Sequence, residues 1–140
     1  MASGEAFADT SALYAAIDAR DPHHRYAAPL MRQLAQTGRM IVTTDYVAAE
    51  TLNLAVARRC RIVADRLLQL LETSFALRME WVGPERFQAA KLVFRRHADH
   101  GYSFTDCASF VVMHELRIRD ALTSDHHFVE AGFRTLLKPG

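Results

Sequence analysis

Short apolar runs alternate along the chain with longer segments in which apolar residues recur at helical spacing. The short runs predict strands; they cover residues 5–8, 40–43, 77–82, 121–123 and 135–137. The longer segments predict helices; they cover residues 12–17, 22–36, 45–59, 62–73, 83–97, 103–116 and 126–130. Strands that alternate with helices predict an α/β sandwich around a mainly parallel central sheet of 4–5 short strands.

Local signals refine these limits. Asp21-Pro22 predicts the start of the second helix, with proline at its first position. Pro29 predicts a kink or break in that helix, and Thr37-Gly38 predicts its end. The apolar run at 40–43 predicts a strand that is buried on both faces.

The composition is that of an ordinary globular protein. A chain of 140 residues fits a single domain over residues 1–140, and half of its residues are hydrophobic, which excludes disorder as the main state. No apolar run reaches the roughly 18 residues of a membrane span, and the first residues lack the pattern of a secretory signal. Cys60 and Cys107 do not form a disulfide framework, so we expect reduced thiols and a cytoplasmic protein.

The charge balance does not by itself indicate a nucleic-acid binder. The 17 basic residues face 16 acidic ones, and a local basic patch is still compatible with a net charge of +1. Fifteen of the basic residues are arginine, the better side chain for phosphate. Several of them suit either contacts with a nucleic-acid backbone or a solvated helix face, namely Arg20, Arg25, Arg95 and Arg96.

Two acidic residues directly follow predicted strands. Asp9 comes after the first strand and Asp125 after the fourth. Ligands of parallel α/β sheets bind beyond the carboxyl ends of the strands, so both residues are candidates for a binding site. Each of them also suits the cap of the helix that follows.

Two further acidic residues lie within predicted helices. Glu50 shares a helix face with Val47 and Leu54, which places its carboxylate on an apolar side. There it needs a distant arginine or a metal, unless it reaches solvent at a helix end. Asp106 shares a face with Phe110 and Met113. The segment 103–106 also matches a capping box, which explains Asp106 without any site.

The four acids together indicate more than each one alone. In a parallel sheet they converge, and clustered carboxylates raise one another's pKa unless a cation lies among them. Oxygen ligands suit Mg²⁺ or Mn²⁺, and these ions stabilise the charge of phosphoryl displacement. The pattern therefore predicts hydrolysis of phosphodiesters.

The chain resembles the PIN-domain ribonucleases, most closely the VapC-type toxins of bacterial toxin–antitoxin pairs. The first of four segments that carry the resemblance is Phe7-Ala8-Asp9-Thr10-Ser11-Ala12-Leu13. The others are residues 43–51, residues 103–107, and Leu122-Thr123-Ser124-Asp125-His126-His127-Phe128 followed by residues 131–133. They stand in the family's order and extend over nearly the whole chain.

The resemblance implies a three-layer α/β/α sandwich and an Mg²⁺- or Mn²⁺-dependent endoribonuclease. It implies that Asp9, Asp106 and Asp125 bind the metal and that Glu50 is a ligand or a neighbouring catalytic acid. It also implies supporting hydroxyl groups at two matching positions, Ser11 and Thr105. The expected partners are RNA, a cognate antitoxin protein and a second copy of the chain in a homodimer, with no membrane involved.

Two alternatives stay open at this point. A receiver-type phosphoacceptor domain has a similar size and a parallel sheet, but it needs an acidic pair after the first strand, where Asp9 is followed by Thr10. A catalytically silent PIN-fold binding module would keep the fold without the chemistry. Apolar helix residues belong either to the core or to an antitoxin groove, namely Leu13, Tyr14, Ile17, Tyr26, Leu30 and Leu34.

Overall fold

The computed structural model describes residues 4–137, so the outermost residues of the predicted domain, 1–3 and 138–140, lie outside it. The strands are β1 (Ala6–Ala8), β2 (Ile41–Thr44), β3 (Leu77–Glu80), β4 (Asp120–Leu122) and β5 (Arg134–Thr135). The helices are α1 (Thr10–Ile17), α2 (His24–Gln36), α3 (Asp45–Ala57), α4 (Arg61–Thr73), α5 (Gly83–Arg96), α6 (Phe104–Leu116) and α7 (His127–Glu130). A short 3₁₀ turn covers Ala98–His100.

The five strands form one sheet in the order β3-β2-β1-β4-β5, and every pair is parallel. Helix α1 contacts α2, α3 and α4, whereas α6 contacts α5 and α7. With right-handed crossovers, these two groups cover opposite faces of the sheet. The predicted three-layer α/β/α sandwich with a parallel sheet is therefore confirmed.

The strand order also fixes where a site belongs. The chain moves from β1 outward to β3 and then returns to place β4 on the other side of β1. This reversal makes the carboxyl ends of β1 and β4 the topological switch point, where ligands bind in open α/β sheets. A receiver domain has the order 2-1-3-4-5, so this sheet excludes that alternative.

The centre of the sheet and one helix supply the core. All residues of β1 and β2 are buried, which confirms the prediction of burial for the second strand. In α6 every residue from Cys107 to Met113 is buried, so this part of the helix is surrounded by other parts of the protein on all its faces. Cys60 and Cys107 are both free thiols. None of the helices over residues 4–137 combines the length and apolar character that crossing a membrane requires.

The start and course of α2 differ from the prediction. Pro22 is not its first residue, because the Asp21 carboxylate accepts a hydrogen bond from the His23 backbone and holds a turn, and the helix begins at His24. Pro29 does not break the helix, which runs unbroken to Gln36. Pro29 lies on the exposed face, where water can satisfy the backbone carbonyl that lacks its usual partner.

Strand β3 is shorter than predicted and ends at Glu80. The backbone N–H of Val82 donates instead to Oδ1 of Asp45, at 2.7 Å. Asp45 is the first residue of α3, so this bond turns the chain toward that helix and away from the sheet.

An ion-pair cluster around one buried aspartate joins the amino ends of three strands. Asp120, at the start of β4, is 4% exposed and accepts hydrogen bonds from Arg39 at 2.8 Å and from Arg134 at 2.6 Å. Arg39 also donates to the Gly4 carbonyl. The hydrogen bonds from Arg134 and Arg39 hold the pKa of Asp120 below its ordinary value. The cluster therefore holds β2, β4 and β5 in register on both sides of β1.

We expect Asp120→Ala to destabilise the fold by about 3 kcal/mol or more, because it leaves the mostly buried Arg39 without its partner. Chemical denaturation at neutral pH measures this change. Asp99→Ala is the matched control, since Asp99 is exposed on the 3₁₀ turn. Equal stabilities of the two variants would contradict a structural role for the cluster.

Candidate active site at the carboxyl ends of β1 and β4

Asp9 is the residue that follows β1, and its carboxylate is buried. It caps α1 by accepting a hydrogen bond from the Ala12 backbone. The Ser11 hydroxyl donates to its Oδ1 at 2.7 Å, and the Thr123 hydroxyl donates to its Oδ2 at 2.6 Å. Both oxygens are thereby held in a fixed orientation at the end of the strand.

Burial raises the pKa of Asp9 from 3.8 to about 6, although the three hydrogen bonds act in the opposite direction. The negative charge of Asp125 adds to the rise. The fold thus holds a carboxylate where its ionised form is poorly solvated. A cation beside it would favour the ionised form and lower the pKa again.

Thr123 connects Asp9 to the second strand-end acid. Its hydroxyl donates to Asp9 and accepts from the backbone N–H of Asp125, at 2.9 Å. Oδ1 of Asp125 accepts in turn from the backbone N–H of His127. The buried Thr123, which directly follows β4, therefore sets the positions of both carboxylates.

Asp106 combines two roles that the sequence presented as alternatives. Its side chain accepts from the Ser103 backbone and its own N–H donates to the Ser103 hydroxyl, so the predicted capping box is present. The same carboxylate faces the acidic pocket. Partial burial is the main cause that raises its pKa, and the Asp125 charge contributes.

Glu50 does not lie in the core, and the prediction of an apolar environment for it is wrong. Its side chain is exposed and accepts a hydrogen bond from the Thr10 hydroxyl at 2.9 Å. Val47 and Leu54 do share its helix face, but that face of α3 lines a pocket. Helical periodicity identified the face correctly and could not show that it borders a cavity.

All four acids, Asp9, Glu50, Asp106 and Asp125, line one pocket of about 350 Å³. The hydroxyl residues expected to support the site, Ser11 and Thr105, line it too. Ser11 holds Asp9, as described, while Thr105 accepts a hydrogen bond from Ser109 through its backbone carbonyl. The structure therefore brings the candidate residues together, and their roles as metal ligands and catalytic groups stay predictions.

Several residues of the site were missed from the sequence. Arg58 is the one arginine or lysine among the described residues that line the pocket. It follows α3, its guanidinium lies 4.6 Å from the centre of the Tyr14 ring, and it pairs with Asp21. Only the packing of α3 against α1 brings it to the site. The role of Thr123 could have been predicted from the sequence. A threonine hydroxyl commonly accepts a hydrogen bond from the backbone N–H two residues later, which here belongs to Asp125.

The charges of the pocket fit a divalent cation. Arg58 is engaged with Asp21, so the four candidate acids have no arginine or lysine partner among the residues that line the pocket. Oxygen donors of this kind suit hard divalent ions. An uncompensated cluster would also repel any phosphate group, whereas a bound cation removes this repulsion.

Comparisons with known proteins agree with this architecture. The family model of the PIN domain matches residues 6–134. The 23S rRNA-specific endonuclease VapC20 of Mycobacterium tuberculosis is 33% identical over 127 residues, which cover 91% of this chain and 94% of that protein. The same match is found in a second strain.

Two solved structures are similar. The crystal structure of Mycobacterium tuberculosis VapC20, a sarcin–ricin loop cleaving toxin, matches with a TM-score of 0.81 and 28% identity, over 92% of this chain and 96% of that one. VapBC2 from Rickettsia felis, bound to a DNA fragment from its promoter, matches with a TM-score of 0.69. Its 11% identity, over 94% of this chain and 96% of that one, indicates a shared fold.

We expect Asp9→Asn to raise the free energy of unfolding by about 1–3 kcal/mol at pH 7.5 without divalent ions. Asp9 ionises at pH 3.8 in its ordinary state but only at about 6 when folded. The wild type therefore loses stability as the pH rises from about 4 to 6, and the loss persists above that range. The hydrogen bond from Thr123, which an amide nitrogen cannot accept, reduces the gain.

Urea denaturation at pH 4.5 and 7.5 in EDTA measures this effect. The difference between Asp9→Asn and wild type should shrink at the lower pH, because folded Asp9 is then mostly protonated. Asp99→Asn makes the same chemical change at an exposed position and should leave stability nearly unchanged. A less stable Asp9→Asn at pH 7.5 would contradict the cost assigned to the buried charge.

Proposed function

This chain belongs to the PIN-domain family, in its VapC-type branch of ribonuclease toxins, and we propose that its acidic pocket hydrolyses RNA phosphodiesters with Mg²⁺ or Mn²⁺. The observation that carries this proposal is the convergence of Asp9, Glu50, Asp106 and Asp125 on one pocket at the switch point of the sheet. We assign metal binding to Asp9, Asp106 and Asp125.

The chain's own residues hold the carboxylates in place before substrate arrives. Asp9 is fixed by Ser11 and Thr123, and Asp106 by the capping box with Ser103. Such preorganisation is what electrostatic catalysis requires, because groups that are already oriented need no rearrangement during the reaction. When bound, the divalent ion supplies positive charge to the phosphoryl group and activates water.

Glu50 differs from the other acids in its surroundings. It is exposed on α3 and held toward the pocket by the Thr10 hydroxyl. We assign it the role of proton acceptor at the open side of the pocket, because an acid that water can reach exchanges protons readily.

The proposed substrate is structured ribosomal RNA. This rests on the relative with the printed name 23S rRNA-specific endonuclease, which is 33% identical to this chain over nearly its whole length. We further propose that the protein acts in the cytoplasm, forms a homodimer and is inhibited by a cognate antitoxin, as its family membership suggests.

The apolar residues considered for an antitoxin groove divide into two groups. Leu13, Tyr14 and Leu34 are buried in the cores, while Ile17, Tyr26 and Leu30 are partly buried. Leu13 and Ile17 also line an apolar pocket of about 310 Å³ beside α2. We propose this pocket as the place where an apolar antitoxin side chain binds.

We expect Asp106→Asn to reduce RNA cleavage by at least about 100-fold while the fold is kept, because one ligand charge is removed and an amide can still take part in the cap. Purified protein, freed of any partner, is incubated with ribosomes and with total RNA in Mg²⁺, in Mn²⁺ and in EDTA. Asp99→Asn should cleave like wild type.

Full activity of both Asp106→Asn and Asp9→Asn would contradict the proposed site. If the wild-type protein binds metal normally but cleaves none of the RNA samples, the target is another RNA. Loss of cleavage without metal binding would favour the silent binding module.

We expect Arg58→Gln to weaken RNA binding several-fold and to lower the slope of log K against log salt by about one, the signature of one lost phosphate contact. Binding is measured in the Asp106→Asn background, where RNA stays intact. Arg61→Gln removes an exposed arginine outside the pocket and serves as the matched control. Identical slopes for the two variants would exclude a phosphate contact by Arg58.

A further inference from the structure

His127 places a ring nitrogen beside two carboxylates of the acidic pocket, although its side chain is not part of the pocket lining. Its Nδ1 lies 3.3 Å from Oδ1 of Asp125 and 3.5 Å from Oδ2 of Asp106. The atom is buried, and no group among residues 4–137 makes a hydrogen bond with it. Its nearest polar neighbours are thus two carboxylate oxygens, and a cation between the three atoms would give the buried nitrogen a favourable bond.

A ring contact with Tyr102 and a backbone hydrogen bond together set the position of the imidazole ring. It packs edge-on against the Tyr102 ring, with centroids 5.3 Å apart. Its own backbone N–H donates to Oδ1 of Asp125 at 2.9 Å, which fixes the start of α7. The direction of Nδ1 is therefore set by the fold.

The donor atoms of Asp106, Asp125 and His127 all lie within 4.8 Å of one another. Ligands that share an octahedral ion at about 2.1 Å lie roughly 3 Å apart when they are neighbours and about 4.2 Å apart when opposite. The two measured separations from Nδ1 fall inside this range. One ion can therefore be reached by both carboxylates and the imidazole with small adjustments.

We propose that Nδ1 of His127 is a ligand of the divalent ion together with Asp106 and Asp125, and that this nitrogen makes the site prefer Mn²⁺ to Mg²⁺. The inference rests on the proposed function, since it concerns the same pocket. Mg²⁺ takes oxygen ligands almost exclusively, whereas transition metals gain affinity from an imidazole nitrogen. The ring coordinates in its neutral form and keeps its proton on Nε2.

Pulsed electron paramagnetic resonance of the full chain with one equivalent of Mn²⁺ tests the ligand directly. Unlabelled wild type should show a ¹⁴N hyperfine coupling to Mn²⁺. Protein labelled with ¹⁵N-histidine should show a ¹⁵N coupling in its place. His127→Gln should lose the coupling. His126→Gln should keep it, although His126 lies beside His127, because its ring is 76% exposed and its Nδ1 is 3.8 Å from Asp125.

Calorimetric titration with each ion tests the preference. We expect His127→Gln to weaken Mn²⁺ binding at least about tenfold, with less than about threefold change for Mg²⁺, so that the ratio of the two dissociation constants falls. His126→Gln should leave this ratio unchanged. Wild-type protein without a nitrogen coupling overturns the proposal, whatever the variants do, and so does a coupling that only His126→Gln removes.

Failure of this inference is distinguishable from failure of the proposed function. Asp106→Asn and Asp125→Asn should lose binding of both ions. If they bind both normally, the acidic pocket is not the metal site. If they lose both ions while His127→Gln keeps the wild-type ratio, the pocket binds metal through oxygens and His127 only pairs with the carboxylates.

Discussion

The central constraint on the active site is a carboxylate that is buried where the central strand ends. Asp9 follows β1, is 8% exposed and accepts hydrogen bonds from Ala12, Ser11 and Thr123. These bonds hold its orientation, but they do not offset the loss of solvation, and its pKa stays raised. The fold therefore maintains a local instability that a bound cation would relieve, and Asp106, whose pKa is raised mainly by partial burial, shares this condition.

The two ends of the sheet differ in whether their buried acidic side chains have arginine partners. At the amino ends, Asp120 is surrounded by Arg39 and Arg134, so its charge is compensated and supports the register of the strands. At the carboxyl ends of β1 and β4, the four candidate acids have no arginine or lysine partner among the described residues that line the pocket, where Arg58 is paired with Asp21. Compensation at one end supplies the stability that lets the other end carry an excess of negative charge.

The alternation of strands and helices was enough to predict the parallel sandwich, and the acids at strand ends were enough to predict where they meet. The predictions that proved wrong concern features that depend on contacts between residues far apart in the sequence. Val82 bonds to the Asp45 side chain and is not part of β3. The face of α3 that carries Glu50 lines the pocket and does not pack into the core. His127 and Arg58 gain their significance from neighbours far away in the sequence, which a linear pattern does not reveal.

The hydrogen bonds of Thr123 also determine when the acidic pocket can form during synthesis of the chain. The Thr123 hydroxyl joins two residues that are far apart in the sequence, since Asp9 and Asp125 meet only when β4 lies beside β1. A chain that is still being synthesised carries the first acid from the outset and lacks the other until residue 125 has been added. The growing polypeptide therefore lacks a complete acidic pocket until β4 has been made and has paired with β1.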